Sequence, residues 1–306
     1  MPPKGWSSWN AFANTDLLNE TAIKAQADAL VKYNLTSIYK YINIDCGWSL
    51  PQRNADGTLI PDPARFPNGI ANISAYVRSL GLELGIYTEH YTADCCGGPG
   101  MYNYEDIDAE TYRSWNISYV KIDSCAGHAL SPQQQYNNYL EIAQALNRTG
   151  HQFYVSTCPT AYNPPNINAP CVPWGGNLSY SPYGWTNNTY EGYLDPFQVS
   201  NAVLVEFCNS ANSYDTTVQI IDAQQDLLQN NYYYTSTGPG NWIDMDMLTV
   251  GCSDAPWSGT PCSPQNPGGT SMTYNEQVSQ FSIWAIMSRE ISNDICNVLI
   301  MRKLSL

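Results

Sequence analysis

Lys121 and Asp123 stand two apart in Tyr119-Val120-Lys121-Ile122-Asp123-Ser124-Cys125. Ile117, Tyr119, Val120 and Ile122 are strand formers. Side chains alternate across a strand, so Lys121 and Asp123 share one face while Val120 and Ile122 take the other. Such a pair on a mostly apolar strand has two readings. One is an edge-strand ion pair. The other is a carboxylate nucleophile with its electrostatic partner, at the C-terminal end of a barrel strand. Further acids sit at strand ends: Asp45 closes Ser37–Asp45 (SIYKYINID), and Asp244 and Asp246 follow Trp242. Several carboxylates converging on one face suit glycoside hydrolysis. One carboxylate attacks the anomeric carbon or activates water, and a second carboxyl protonates the leaving oxygen. A lysine beside the attacking group favours its ionised form.

The elements that must carry these residues alternate along the chain. Lys4 to Asn10 reads as a strand end running into a loop with two exposed-type tryptophans. Helices are predicted over 20–33, 70–80, 105–115, 133–146, 217–229 and 274–288, from apolar residues at helical spacing and stop signals such as Gly81. On the last helix, Val278, Phe281, Ile283 and Trp284 are expected on the buried side. Strands are predicted over 37–45, 82–88, 117–123, 152–157 and 202–207. A seventh falls at 232–235 or 242–247, and a short eighth at 291–294. Residues 51–68, rich in Pro, Gly, Asn and Asp, read as a loop. The long excursion 158–196 reads as functional or decorated. About eight strand–helix alternations, with no GxGxxG after the first strand, give a (β/α)8 TIM barrel spanning 1–306 as one domain, either whole or cut short at its C-terminal end.

Composition narrows the partners. A formal net charge of −14 and a pI near 4.4 argue against a nucleic-acid partner, whose phosphates such a surface repels. Apolar content of 43% is enough for a large core. The 23 Tyr and 9 Trp lend slight weight to carbohydrate binding, since sugars stack on such rings. Ten Cys and seven N-x-Ser/Thr sequons, at Asn19, Asn34, Asn72, Asn116, Asn147, Asn177 and Asn187, favour an oxidising secretory route. Secretion or a lysosomal or vacuolar location is therefore expected. No leader is read in Met1-Pro2-Pro3-Lys4, and no apolar run is long enough to span a membrane. The three His, His90, His128 and His151, lie in no metal-binding spacing and read as polar surface or loop residues. No metal and no cofactor are expected.

The ordered motifs carry a specific resemblance. They are Gly5-Trp6-Ser7-Ser8-Trp9-Asn10, Tyr41-Ile42-Asn43-Ile44-Asp45, Pro51-Gln52-Arg53, Arg65-Phe66-Pro67-Asn68-Gly69-Ile70 and Leu84-Gly85-Ile86-Tyr87. The Tyr119–Cys125 heptad, Ala145-Leu146-Asn147-Arg148-Thr149-Gly150, Gly238-Pro239-Gly240-Asn241-Trp242 and Asp246-Met247-Leu248 complete the set. Together they resemble glycoside hydrolase family 27, the α-galactosidase and α-N-acetylgalactosaminidase family. The resemblance implies release of terminal α-linked galactose by a retaining double displacement. It implies Asp123 as nucleophile and Lys121 as a sugar contact, with Trp9, Asp45, Tyr87 and Asp246 lining the pocket. It also implies disulfides Cys95–Cys125 and Cys158–Cys208.

Departures from the family pattern are equally visible. Asp45 is followed by Cys46 where the family often has a second acid. After Cys208-Asn209, Ser210-Ala211-Asn212 replaces the expected residues, which leaves Asp215 as candidate acid/base and Glu206 as an alternative. Pro159-Thr160-Ala161-Tyr162 stands where the family shapes the space beside the sugar's 2-substituent, which puts Tyr162 among the substrate-binding candidates. No C-terminal β-sandwich of the family's kind is expected within 1–306. Cys46 and Cys96, near adjacent strand ends, are one pairing option; Cys252 and Cys262 bracket a loop; Cys171 and Cys296 stay unassigned. The rival readings are an impaired barrel acting as a sugar-binding or structural glycoprotein, and a hydrolase for α-N-acetylgalactosamine or β-L-arabinopyranose.

Overall fold

The structure, a computed structural model, describes residues 3–125, 130, 132–157, 203–206, 241–244 and 273–287. Among the described residues seven strands form one parallel sheet: β1 (Gly5–Ser7), β2 (Tyr41–Ile44), β5 (Glu83–Glu89), β6 (Tyr119–Asp123), β7 (Tyr154–Thr157), β8 (Val203–Glu206) and β9 (Asn241–Asp244). They lie side by side in chain order, and every pairing is parallel. A doubly wound sheet reverses its strand order at a switch point. This one runs in a single direction, as the wall of a (β/α)8 barrel does. The seventh barrel strand is therefore the second of the two sequence options. The expected eighth strand at 291–294 and the helix at 217–229 lie outside the described residues.

Helices α2 (Glu20–Lys32), α3 (Gly69–Ser79), α4 (Glu105–Ser114) and α5 (Pro132–Arg148) cover the outside of the sheet. Their apolar residues recur at helical spacing and are fully buried: Ile23, Ala27 and Leu30 on α2; Ile70, Ile73 and Val77 on α3; Tyr139, Ile142 and Leu146 on α5. Asn19 caps α2 by accepting from the Ala22 N–H at 3.0 Å. Glu105, Asp106 and Asp108 in the first turn of α4 favour its positive end. Asn34, Gly81, Asn116 and Gly150, just past the ends of these helices, all have positive φ, which reverses the chain toward the next strand. Opposite these helices, the outward side chains Ile42, Ile44, Leu84, Ile86, Val120, Ile122 and Val155 are at most 1% exposed. This is the main core.

The inward side chains of β2, β5, β6 and β7 are mixed. Tyr41, Tyr119 and Tyr154 meet at the strands' N-terminal ends, with ring centroids 5.8 and 5.5 Å apart. Burial, then the Tyr154 and Glu83 neighbours, push the Tyr41 phenol well above its ordinary range. Gly85 faces the same interior. A Cβ there would stand 1.9 Å from Asn43 Oδ1 and 3.0 Å from Tyr119 Cβ, so only glycine lets these neighbours close in.

Four expectations are corrected. Within 51–68 the chain forms an antiparallel hairpin, β3 (Ser49–Arg53) with β4 (Leu59–Pro61). Its turn is Asp56-Gly57, with Gly57 at φ 89°, a strong hairpin signal that the loop-like composition masked. Trp6 is 1% exposed rather than an open loop aromatic, and a short helix α1 (Trp9–Phe12) follows β1. On α6 (Tyr274–Met287), Val278 and Phe281 are exposed, whereas Gln280 is buried and Ile283 packs on the core. Apolar residues occur all round that helix, so spacing could not choose its face. His90 is fully buried, not a surface residue.

Candidate active site

Parallel register sets the site. On adjacent strands Tyr87 lies beside Lys121, and Glu89 beside Asp123. Asp45 directly follows β2, so Asp45, Glu89 and Asp123 gather at the C-terminal ends of three neighbouring strands. The Tyr87 phenol reaches upward and donates to Asp123 Oδ2 at 2.8 Å. Its backbone carbonyl accepts from Trp48 Nε1 at 2.9 Å, and the ring is 1% exposed. Burial, followed by the negative charges of Asp123, Asp45 and Glu89, pushes the Tyr87 phenol far above its ordinary range. It therefore stays a protonated donor. The second Asp123 oxygen, Oδ1, accepts from the Ser124 N–H at 2.8 Å.

Lys121 Nζ pairs with Asp45 Oδ2 at 3.1 Å and lies 5.8 Å from the Tyr87 ring centroid. Asp45 is 4% exposed; its Oδ1 accepts from the Cys46 N–H at 2.8 Å. The Asp45 N–H donates to Ser8 Oγ at 2.8 Å, which ties the end of β1 to the end of β2. Trp9 follows Ser8 directly, half-buried at the same end and packed on the core.

The segment after β5 folds back on itself, with Gly100 N–H donating to Thr92 O and Met101 N–H to Glu89 O. Its tip carries two adjacent cysteines. Cys95 is joined to Cys125 and Cys96 to Cys46. One loop is thus fastened next to both Asp45 and Asp123, and Cys95 Sγ lies 3.2 Å from Asp123 Oδ2. Asp94 Oδ1 accepts from Cys96 N–H and Gly98 N–H at 2.8 and 2.7 Å. Burial still raises the Asp94 carboxyl above its usual range, and the charges of Asp45 and Asp123 add to that. Glu89, Cys95 and Cys125 place ligand-type atoms together, but the two sulfurs are bonded to each other and offer no thiolate for a metal.

Asp123, Lys121, Asp45 and Tyr87 thus meet in one cluster, and Trp9 stands at the same end of the barrel. Asp215, Tyr162, Asp246, Cys158 and Cys208 lie outside the described residues. Glu206 and Asp244 are register partners at the C-terminal ends of β8 and β9. Sequence reasoning passed over Glu89, which ends β5 as Asp45 follows β2; the rule of acids at strand ends applied equally to it.

Inward carboxylates at the C-terminal ends of parallel barrel strands are the architecture of a (β/α)8 barrel enzyme. The chain belongs to the alpha galactosidase A family, Melibiase_2, whose family model matches residues 1–305. It is 33% identical to alpha-galactosidase 2 of Arabidopsis thaliana over 93% of this chain and 58% of that protein. It is 31% identical to the alpha-N-acetylgalactosaminidase of Gallus gallus, over 94% of this chain and 62% of that one. The crystal structure of alpha-galactosidase I from Mortierella vinacea superposes with a TM-score of 0.66 at 25% identity, covering 97% of this chain and 68% of that chain. The chain thus spans about three-fifths of the length of the two curated relatives.

Proposed function

We propose that this barrel acts in a retaining glycoside hydrolase that releases terminal α-linked galactose. The observation that carries the reading is the Asp123 carboxylate at a barrel strand end, held by Tyr87 and the Ser124 N–H beside a Lys121–Asp45 pair. In the first step Asp123 attacks the anomeric carbon while a second carboxyl protonates the leaving oxygen. In the second, water displaces Asp123 from the glycosyl-enzyme with that same group as base, and two inversions give net retention. Asp215 is the proposed acid/base. Tyr87 and the Ser124 N–H fix the attacking carboxylate, so its orientation costs nothing at the moment of reaction. Lys121 and Asp45 offer a donor and an acceptor to sugar hydroxyls, while Trp9, Tyr162 and Asp246 complete the pocket. The disulfides and exposed sequons at Asn34, Asn72, Asn116 and Asn147 support passage through an oxidising secretory route.

The test is a panel of nitrophenyl glycosides with the intact protein and Asp123→Asn. Turnover of the α-galactoside is expected, falling about 10³-fold or more in the variant. Turnover unchanged by Asp123→Asn removes the nucleophile assignment. Preference for the α-N-acetylgalactosaminide or the β-L-arabinopyranoside shifts the substrate within the same mechanism.

A further inference from the structure

The turn that carries Asp123 is gripped from below by a buried acid–imidazole pair, Glu89 and His90, both 0% exposed. Glu89 Oε2 accepts the Cys125 N–H at 2.6 Å. The His90 N–H donates to the Asp123 carbonyl at 3.2 Å, and His90 Nε2 lies 2.9 Å from Ser124 Oγ. Glu89 Oε1 stands 3.6 Å from the same imidazole nitrogen. The imidazole is itself seated: Tyr139 stacks on it at 4.6 Å between centroids, and Asn138 Nδ2 lies 3.4 Å from Nδ1. Tyr139 also donates its hydroxyl to the Asp123 carbonyl at 3.3 Å. Each of Asp123, Ser124 and Cys125 is therefore held by a side chain or backbone group from β5, its exit or α5.

A carboxylate in full burial is costly unless charge-assisted hydrogen bonds offset the lost water. An apolar residue at the end of β5 would fill the space without that cost. What the carboxylate adds is a short, directional bond to the backbone two residues past Asp123. That backbone determines where Ser124 N–H points, and Ser124 N–H determines where Asp123 Oδ1 lies. The Cys95–Cys125 disulfide ties the end of the same turn to the loop after β5.

We propose that Glu89, with His90, is a positioning residue for the nucleophile: it fixes the Asp123-Ser124-Cys125 turn so that the Asp123 carboxylate keeps its attack geometry. The inference rests on the nucleophilic reading of Asp123. Glu89 is fully buried and offers no surface to a sugar, so its loss slows the chemical step while leaving sugar affinity in place.

The experiment compares wild type, Glu89→Ala and Glu89→Gln by kcat and KM on nitrophenyl α-galactopyranoside, with thermal melting to establish folding. In Glu89→Ala, kcat falls about 100-fold, the scale of an ångström-sized misplacement, while KM stays within about threefold. In Glu89→Gln, whose amide oxygen can still accept the Cys125 N–H, kcat falls only about tenfold, a partial rescue. A folded Glu89→Ala protein that keeps more than half of wild-type kcat, or that changes KM alone, overturns the proposal. Should Glu89→Ala not fold, Glu89→Gln decides by the same thresholds. Crystal structures of wild type and the folded variant separate this inference from the functional reading. If wild type cleaves no glycoside, the functional reading falls. Positioning then stands only if Asp123 Oδ2 moves by more than about 0.5 Å from the Tyr87 hydroxyl in the variant.

Discussion

Tyr87 donates its hydroxyl to Asp123 Oδ2 at 2.8 Å although its register partner on β6 is Lys121, two residues earlier. The phenol spans one layer of the barrel interior, from the level of Lys121 to the level of Asp123. It is a donor that cannot ionise in this setting, because burial and the surrounding carboxylates raise it far out of range. Tyr87→Phe is therefore expected to lower kcat about 10- to 100-fold with little change in melting temperature. Steady-state kinetics beside a thermal melt check this, and unchanged kcat would separate Tyr87 from the nucleophile.

The pair Lys121–Asp45 is nearly dry, with side chains 14% and 4% exposed. Lys121→Met leaves the Asp45 carboxylate without its cation in low dielectric. A loss of about 3 kcal/mol in urea unfolding is expected, in line with breaking one half of a buried pair. Combining it with Asp45→Asn should recover part of that loss, giving a coupling of about 1–3 kcal/mol in the double-mutant cycle. Strict additivity would show that the pair is not a unit.

The two disulfides close loops with sequence separations of 30 and 50 residues. Replacing Cys95 and Cys125 by Ser should lower unfolding free energy by about 3–4 kcal/mol, and removing Cys46–Cys96 by a few tenths more, on chain entropy. Because the shared loop sits against Asp123, each change should also reduce kcat/KM. Urea titrations with and without reductant, paired with activity, measure both effects.

Arg53 makes two hydrogen bonds to Asp108, at 2.6 and 2.7 Å, and a third to Gly100 O at 2.6 Å. It locks the β3–β4 hairpin to α4 and to the returning limb of the loop after β5. Burial outweighs Arg53 and pushes the Asp108 carboxyl from 3.8 up to about 6. A carboxyl raised by folding binds more protons in the native state between those two values, so its contribution is full below the lower value and lost as pH rises through the upper. The contribution is about 3 kcal/mol at most. Melting curves from pH 4 to 7 should show wild-type stability falling relative to Asp108→Asn as pH rises, with Asp94 and the other carboxyls contributing equally to both. Equal slopes would refute the shift.

How much was legible follows from the kind of signal each feature leaves. The barrel strands left runs of branched and aromatic residues, and the helices left apolar spacing with stops such as Gly81. Lys121 and Asp123 announced themselves as charges on an apolar strand. The β3–β4 hairpin was hidden because its polar residues outweighed the Asp56-Gly57 turn. His90 was misread because a lone histidine carries no mark of burial; only the packing of Tyr139 and Ser124 around it shows that it is an interior residue.

The sequence by itself determined the alternation of barrel strands with α2 to α5, the motifs that carry the family resemblance, and the acids Asp45 and Asp123 at strand ends. These follow from local patterns, since strand alternation and helix periodicity are written in neighbouring residues. The partners of those carboxylates were decided by the tertiary structure. Lys121 is two residues from Asp123 in the chain yet pairs with Asp45, 76 residues away. Glu89 reaches Cys125, 36 residues on. Register between parallel strands and the pinning of one loop by two adjacent cysteines set those pairings, and both are properties of segments meeting in space that no local pattern records.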